Sequence, residues 1–138
     1  MNLSPHFTLD ELTHTDHREI DNTPTQDEIS NLQQLANFLE EVKTVLGGKP
    51  IMISSGFRCK ALNDAVGSKD TSQHRTGFAA DFRVPGMTPD EVVRAVIASG
   101  IGYDQIIREF DRWTHISVSD NPRKQALIID KSGTRAFA

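Results

Sequence analysis

The residues best suited to chemistry in this sequence are His74 and Asp81, an imidazole and a carboxylate seven positions apart. If residues 77–84 form a β-strand, side chains alternate between its faces, and Asp81 shares one face with Gly77 and Ala79. The other face is uniformly apolar. Small neighbours leave room beside the carboxylate, which a metal ion or a substrate needs and a packed core avoids.

A second histidine, His115, follows in a segment with the same alternation, on one face with Trp113 and Ser117. Two imidazoles and one carboxylate are ligands that Zn²⁺ accepts. Three protein ligands with one open position are the arrangement of catalytic zinc sites, whereas structural sites close with four. The sequence therefore predicts a catalytic zinc site made of His74, Asp81 and His115.

These residues belong to a longer pattern, Ser72-x-His74-x-x-Gly77-x-Ala79-x-Asp81 followed by Trp113-x-His115. The pattern resembles the zinc-binding signature of the M15 peptidases. That family includes D-Ala-D-Ala carboxypeptidases and phage endolysins and shares its fold with the hedgehog signalling domain. Residues 54–58 with Asn63 look like the family's SGxR segment, and residues 3–8 and 21–24 are similar to short phage and prophage members. The resemblance covers nearly the whole chain.

The resemblance implies a zinc-dependent peptidase that hydrolyses stem peptides or cross-links of bacterial peptidoglycan, as an endopeptidase or as a carboxypeptidase. Arg58, just past a strand end, is then expected to bind substrate or to stabilise the developing oxyanion. Ser72 and Trp113 are further candidates for substrate binding. Trp113 could equally brace the strand that carries the last ligand.

The general base is the point at which the chain departs from related patterns. Some M15 members place a catalytic glutamate three residues before the last histidine, where this sequence has Arg112, so the role passes to Glu109 or Asp111. A hairpin with a three-residue connection puts Glu109 opposite Trp113 and diagonal to His115, and leaves Asp111 at the turn tip facing solvent. We therefore expect Glu109 to be the general acid and base. A register slip of one residue would transfer the role to Asp111.

The elements that must position these residues can be assigned from caps and periodicity. Thr25-x-x-Glu28 begins a long helix that ends at Gly47-Gly48, and a second helix begins at Thr88. Strands are expected at residues 50–53, 77–84, 103–109, 113–119 and 125–130. Helices come first and strands then pair mostly locally, which indicates an α+β fold with a small antiparallel sheet flanked by helices. We expect residues 1–138 to form a single zinc peptidase domain, similar to the hedgehog/DD-peptidase fold.

Composition limits the possible partners. A chain of 138 residues can bury a core without disulfides, and a net charge of −4 without a basic patch argues against nucleic acid. No apolar run approaches the ~20 residues of a transmembrane helix, and no signal peptide is visible. We expect a monomer that acts on peptidoglycan peptides without stable membrane insertion. It would be a phage or prophage protein made in the cytoplasm, reaching the wall by export, by release or in a virion.

Two other functions compete with the zinc peptidase. Cys59 lies at an expected helix start, where a thiolate is favoured, and His74 or His115 could act as its base in a cysteine peptidase. That interpretation leaves Asp81 unexplained. A cell-wall-binding module that contains zinc without cleaving is the alternative outside the enzymes. The lysostaphin type of zinc peptidase fits poorly, because it needs a histidine where Trp113 stands.

Overall fold

A computed structural model describes residues 1–137. In chain order its elements are α1 (Leu9–Thr13), α2 (Gln26–Val45), β1 (Met52–Ser55), α3 (Lys60–Ala65), a 3₁₀ turn (Gln73–Arg75), β2 (Ala79–Arg83), α4 (Pro89–Ser99), β3 (Gln105–Glu109), β4 (Trp113–Ser117), β5 (Gln125–Asp130) and β6 (Gly133–Ala136). Threonine hydroxyls cap α1, α2 and α4, and in each case a glutamate at the third helical position completes a capping box. None of the helices within residues 1–137 combines the length and the apolar character needed to cross a membrane.

The strands form one six-stranded sheet in the order β1-β2-β4-β3-β5-β6. The predicted α+β class is confirmed, and the β3–β4 hairpin has the predicted register, with Glu109 opposite Trp113 and Ile107 opposite His115. Two details differ from the expectation. The sheet is not wholly antiparallel, because β5 crosses over to pair with β3 in parallel. The strand β6 was not predicted, because its residues are all exposed and carry no apolar alternation.

The two faces of the sheet have different roles. One face contributes Ala80, Phe82, Ile106 and Ile116 to a core shared with the apolar sides of α2 and α4. The predicted alternation in β2 and β4 accounts for this directly, since every second residue faces the core and these residues are apolar except Thr114. The opposite face carries the polar residues of the predicted site, which therefore lie on a surface that the two long helices leave open.

Candidate metal centre

His74 lies in the 3₁₀ turn, and hydrogen bonds fix both its backbone and its imidazole ring. The Ser72 hydroxyl accepts a hydrogen bond from the His74 backbone N–H (3.3 Å), which caps the turn. The His74 Nδ1 lies 2.7 Å from the carbonyl oxygen of Gly56. A carbonyl oxygen can only accept, so Nδ1 carries the proton and Nε2 is left with a free lone pair. Burial lowers the pKa of His74, which favours the neutral form that binds metals.

Asp81 and His115 face each other directly across the paired strands β2 and β4. The Asp81 Oδ1 is 2.9 Å from His115 Nδ1 and 3.3 Å from His74 Nε2. Burial alone raises the pKa of Asp81, but the two imidazoles outweigh it and the net pKa is lowered, so the carboxylate stays ionised.

One donor atom from each of His74, Asp81 and His115 lies within 4.8 Å of the other two. Two imidazole nitrogens and one carboxylate oxygen, converging on one point, are a donor set that suits Zn²⁺. The partner of His74 Nδ1 is a backbone carbonyl, the kind of second contact that metal-binding histidines typically make. The residues present therefore fit the ion that the sequence analysis expects.

Arg58 reaches this centre from the loop after β1. Its Nε donates to the Ser55 hydroxyl (3.0 Å), and its Nη2 lies 3.4 Å from Asp81 Oδ2. Burial lowers the pKa of Arg58 while Asp81 and Glu109 oppose that shift. The sequence led us to expect a cation that binds substrate or stabilises the developing oxyanion. The structure adds a second contact, since the guanidinium also holds the carboxylate of a candidate ligand.

Glu109 lies beside the centre at the end of β3. Its Oε1 is 3.9 Å from His115 Nδ1, and its Oε2 accepts a hydrogen bond from Trp113 Nε1 (3.0 Å). Burial and the neighbouring Asp81 carboxylate raise the pKa of Glu109. Asp111 is different: its side chain is 72% exposed, lies at the turn tip and pairs with Arg108. The geometry thus brings Glu109, and not Asp111, to the centre.

A family model described as Peptidase M15 matches residues 5–117 of the chain. This protein belongs to the peptidase M15 family. The matched segment contains all three candidate ligands as well as Arg58 and Glu109, and it ends before β5 and β6. Comparison with curated proteins gives no match.

The candidate metal centre opens into a cleft of about 810 Å³. Its lining includes Arg58, Ser72, Glu109, Trp113 and the three candidate ligands. Ser72 lines the cleft, but its hydroxyl already accepts the His74 backbone N–H that caps the 3₁₀ turn. Trp113 lines the cleft and donates its Nε1–H to Glu109 Oε2, and its role in substrate binding stays a prediction. Sequence reasoning missed Ile129, which lines the cleft from β5 and could be identified only from the parallel pairing.

Cys59 is placed for a structural contact. Its sulfur accepts the Leu62 backbone N–H (3.5 Å) and caps α3, while the side chain packs against the core. Among residues 1–137, Cys59 makes no hydrogen bond to either histidine, whose Nδ1 atoms contact Gly56 and Asp81 instead. The structure therefore does not assemble the pair that a cysteine peptidase requires.

The first prediction concerns Gly56. Its carbonyl oxygen orients His74, and its backbone packs closely against the backbone of Leu12. A Cβ at Gly56 would lie 2.4 Å from the Leu12 carbonyl oxygen, which also accepts the Phe57 N–H. Gly56→Ala should therefore lower the free energy of unfolding by about 1–3 kcal/mol, as overpacking does. It should also weaken zinc binding, because the carbonyl that orients His74 must shift. Urea unfolding and metal titration measure the two effects.

The matched control is Gly102→Ala. Gly102 has no atom within 4 Å of an added Cβ and no positive φ, so this variant should behave like the wild type. Equal stability and equal zinc affinity in Gly56→Ala and Gly102→Ala would contradict the role assigned to Gly56.

Arg58 provides the second prediction. Arg58→Ala should reduce turnover by ~10²–10³, the usual effect of removing one positioned donor from a transition state. It should also cost about 1–3 kcal/mol of stability, since Asp81 and Ser55 lose a hydrogen-bonding partner in a buried setting. Zinc content should stay at one ion per chain because the three donors remain. Peptide hydrolysis, urea unfolding and elemental analysis give the three readouts.

Arg83→Ala is the control for loss of a positive charge near the site, because Arg83 is exposed at the end of β2 and does not line the cleft. It should leave turnover unchanged. Normal cleavage by Arg58→Ala would remove Arg58 from the catalytic machinery.

Proposed function

We propose that this protein is a zinc-dependent peptidase that hydrolyses peptide bonds in bacterial peptidoglycan. The observation that carries the proposal is the convergence of His74, Asp81 and His115 in an open cleft, in a chain of the peptidase M15 family. Zn²⁺ held by these residues would supply a Lewis acid that polarises the peptide carbonyl and makes a water molecule acidic near neutral pH.

Glu109 is proposed to move the proton. Its carboxylate takes the proton of the attacking water and later gives it to the nitrogen of the leaving amine. The hydrogen bond from Trp113 Nε1 occupies Oε2 and leaves Oε1 directed towards the centre. Burial raises the pKa of Glu109, which makes the carboxylate a better proton acceptor than an exposed glutamate.

Arg58 is proposed to face the negative charge that develops on the carbonyl oxygen. Its contacts with Ser55 and Asp81 fix the guanidinium before substrate arrives, so little reorganisation is needed during the reaction. His74 and Asp81 are held in turn by Gly56 and Arg58, so both have partners outside the centre.

The shape of the cleft favours an endopeptidase over a carboxypeptidase. On one side it continues past Phe110 and Trp113 towards the β5–β6 turn, and on the other it continues over Ile107 and Leu127. A site open on both sides can hold peptide before and after the scissile bond, whereas a carboxypeptidase needs only one open side. The proposed substrate lies in the cell wall, so export, lysis or a phage particle must bring the protein to it.

Digestion of purified peptidoglycan, analysed by mass spectrometry, tests the proposal and identifies the bond. New amino groups should appear with zinc-loaded protein and disappear after chelation. Alkylation of Cys59 should have no effect, which separates this function from a cysteine peptidase. Binding to peptidoglycan without any new amine would indicate the wall-binding module instead.

A further inference from the structure

The C-terminal hairpin, β5 with β6, lies outside the segment that matches the M15 family, yet it is built into the same sheet. β5 pairs in parallel with β3, the strand that carries Glu109. The register places Ile129 beside Glu109 and Leu127 beside Ile107. Directly paired residues share a face of the sheet, so Ile129 and Leu127 lie on the open face that carries the metal centre.

Burial in β5 agrees with this placement. Ile128 is 8% exposed and pairs with Arg108, whose side chain contacts Asp90 of α4 on the helical face of the sheet. Ile129 and Leu127 are only partly buried. These two aliphatic side chains are therefore partly accessible on the open face, and neither belongs to the buried core formed by residues 1–137.

A groove of about 490 Å³ continues from the metal centre over this face. Its lining shares Ser72, Glu109, His115 and Ile129 with the catalytic cleft. Its apolar lining is formed by Ile107, Leu127 and Ile129, from β3 and β5. The groove is thus continuous with the proposed site of cleavage, and two of its three apolar lining residues come from the hairpin outside the family match.

Hydrogen bonds to the buried carboxylate of Asp104, a residue that is 1% exposed, join the hairpin to the turn beside the metal centre. The Asp104 carboxylate accepts hydrogen bonds from the backbone N–H, Nε and Nη2 of Arg123, just before β5. It also accepts one from Gln73 (2.9 Å), the residue preceding His74. The Arg123 hydrogen bonds lower the pKa of Asp104 to about 2. The segment that leads into β5 is therefore anchored to the turn that carries a candidate ligand.

We propose that the β5–β6 hairpin is part of the substrate-binding site, and that Ile129 and Leu127 select an aliphatic residue of the peptide on one side of the scissile bond. The proposal rests on the proposed peptidase function, because the groove matters for specificity only if the adjoining centre holds a peptide. An aliphatic side chain in the groove buries apolar surface against three aliphatic residues. A lysine side chain there would lose hydration beside the cations Lys69 and Arg123, while the carboxylate in the lining, Glu109, is directed at Trp113 and the metal centre. The expected preference is therefore for leucine-like over lysine-like residues at that position.

Ile129→Asp and Leu127→Asp test the proposal with a peptide series that places leucine or lysine on each side of the scissile bond. Either variant should lower the ratio of kcat/KM for leucine over lysine peptides at least tenfold, with zinc content unchanged. Ile128→Val is the control, because Ile128 faces the helices and its variant should leave the ratio unchanged. An unchanged ratio in both aspartate variants would overturn the proposal.

Binding of soluble peptidoglycan peptides, measured by calorimetry on the same proteins, separates the two hypotheses. If the wild type binds but releases no amines, and Ile129→Asp raises Kd at least tenfold, the hairpin site stands and the peptidase function fails. If the wild type cleaves and the aspartate variants bind as tightly with the same ratio, the hairpin site fails alone. Absence of any binding by the wild type would overturn both.

Discussion

Replacing either His74 or His115 with alanine should abolish stoichiometric zinc binding and reduce peptide hydrolysis to the background rate. Each substitution removes one of three donor atoms that lie within 4.8 Å of one another. Loss of a residue that merely orients a metal ligand typically costs 10–100-fold in affinity or activity, and loss of a ligand should cost more. Elemental analysis after dialysis against metal-free buffer measures the content directly.

Thermal unfolding gives a second measure of the same effect. An ion that binds only the folded protein stabilises it by about 4.1 kcal/mol when free ion is present at 1,000 times its Kd. A chelator should therefore lower the melting temperature of the wild type and leave that of the two variants unchanged. His14→Ala is the matched control, since His14 is exposed and its imidazole pairs with the exposed carboxylate of Asp16. One zinc per chain in both His74→Ala and His115→Ala would disprove the site.

The second large effect is expected for Glu109→Gln. Glutamine has nearly the same shape and keeps an oxygen that can accept from Trp113 Nε1, but it cannot take a proton near neutral pH. The variant should fold and bind zinc normally while turnover falls by ~10²-fold or more, as for loss of a positioned proton-transfer group. Steady-state hydrolysis of a defined peptidoglycan peptide provides the measurement.

Asp111→Asn is the paired control, because Asp111 is the nearby carboxylate that the hairpin turns towards solvent. The variant loses the ion pair with Arg108, which contributes little to stability because the Asp111 carboxylate is exposed. Its turnover should stay near that of the wild type. If Asp111→Asn is inactive and Glu109→Gln is active, the proton-transfer role belongs to Asp111.

The parts of the site that could be predicted from sequence depend on local rules. Alternation fixes the face on which Asp81 and His115 lie, and a three-residue connection fixes Glu109 opposite Trp113. The starts of two helices could be predicted in the same way, because a capping box involves residues only three positions apart.

The remaining features depend on contacts between distant segments. β5 could follow β4 as a neighbour or cross to β3, and no short-range pattern distinguishes these topologies. The ion pair of Arg58 with Asp81 joins residues 23 positions apart, and the steric limit at Gly56 comes from the backbone of Leu12. Each of these contacts exists only once the chain has folded, so the sequence alone could not indicate them.

The three candidate ligands are carried by two different kinds of element. Asp81 and His115 lie on β2 and β4, each paired on both sides within the sheet, whereas His74 lies on a three-residue turn. His74 is held by contacts with distant segments: its carbonyl oxygen accepts the Arg58 N–H, its Nδ1 contacts the Gly56 carbonyl oxygen, and the neighbouring Gln73 donates to Asp104. The complete set of donor atoms therefore forms only when the loop after β1 has packed against the sheet. Metal affinity is then a measure of tertiary packing, whereas the contact between Asp81 and His115 reports strand pairing alone.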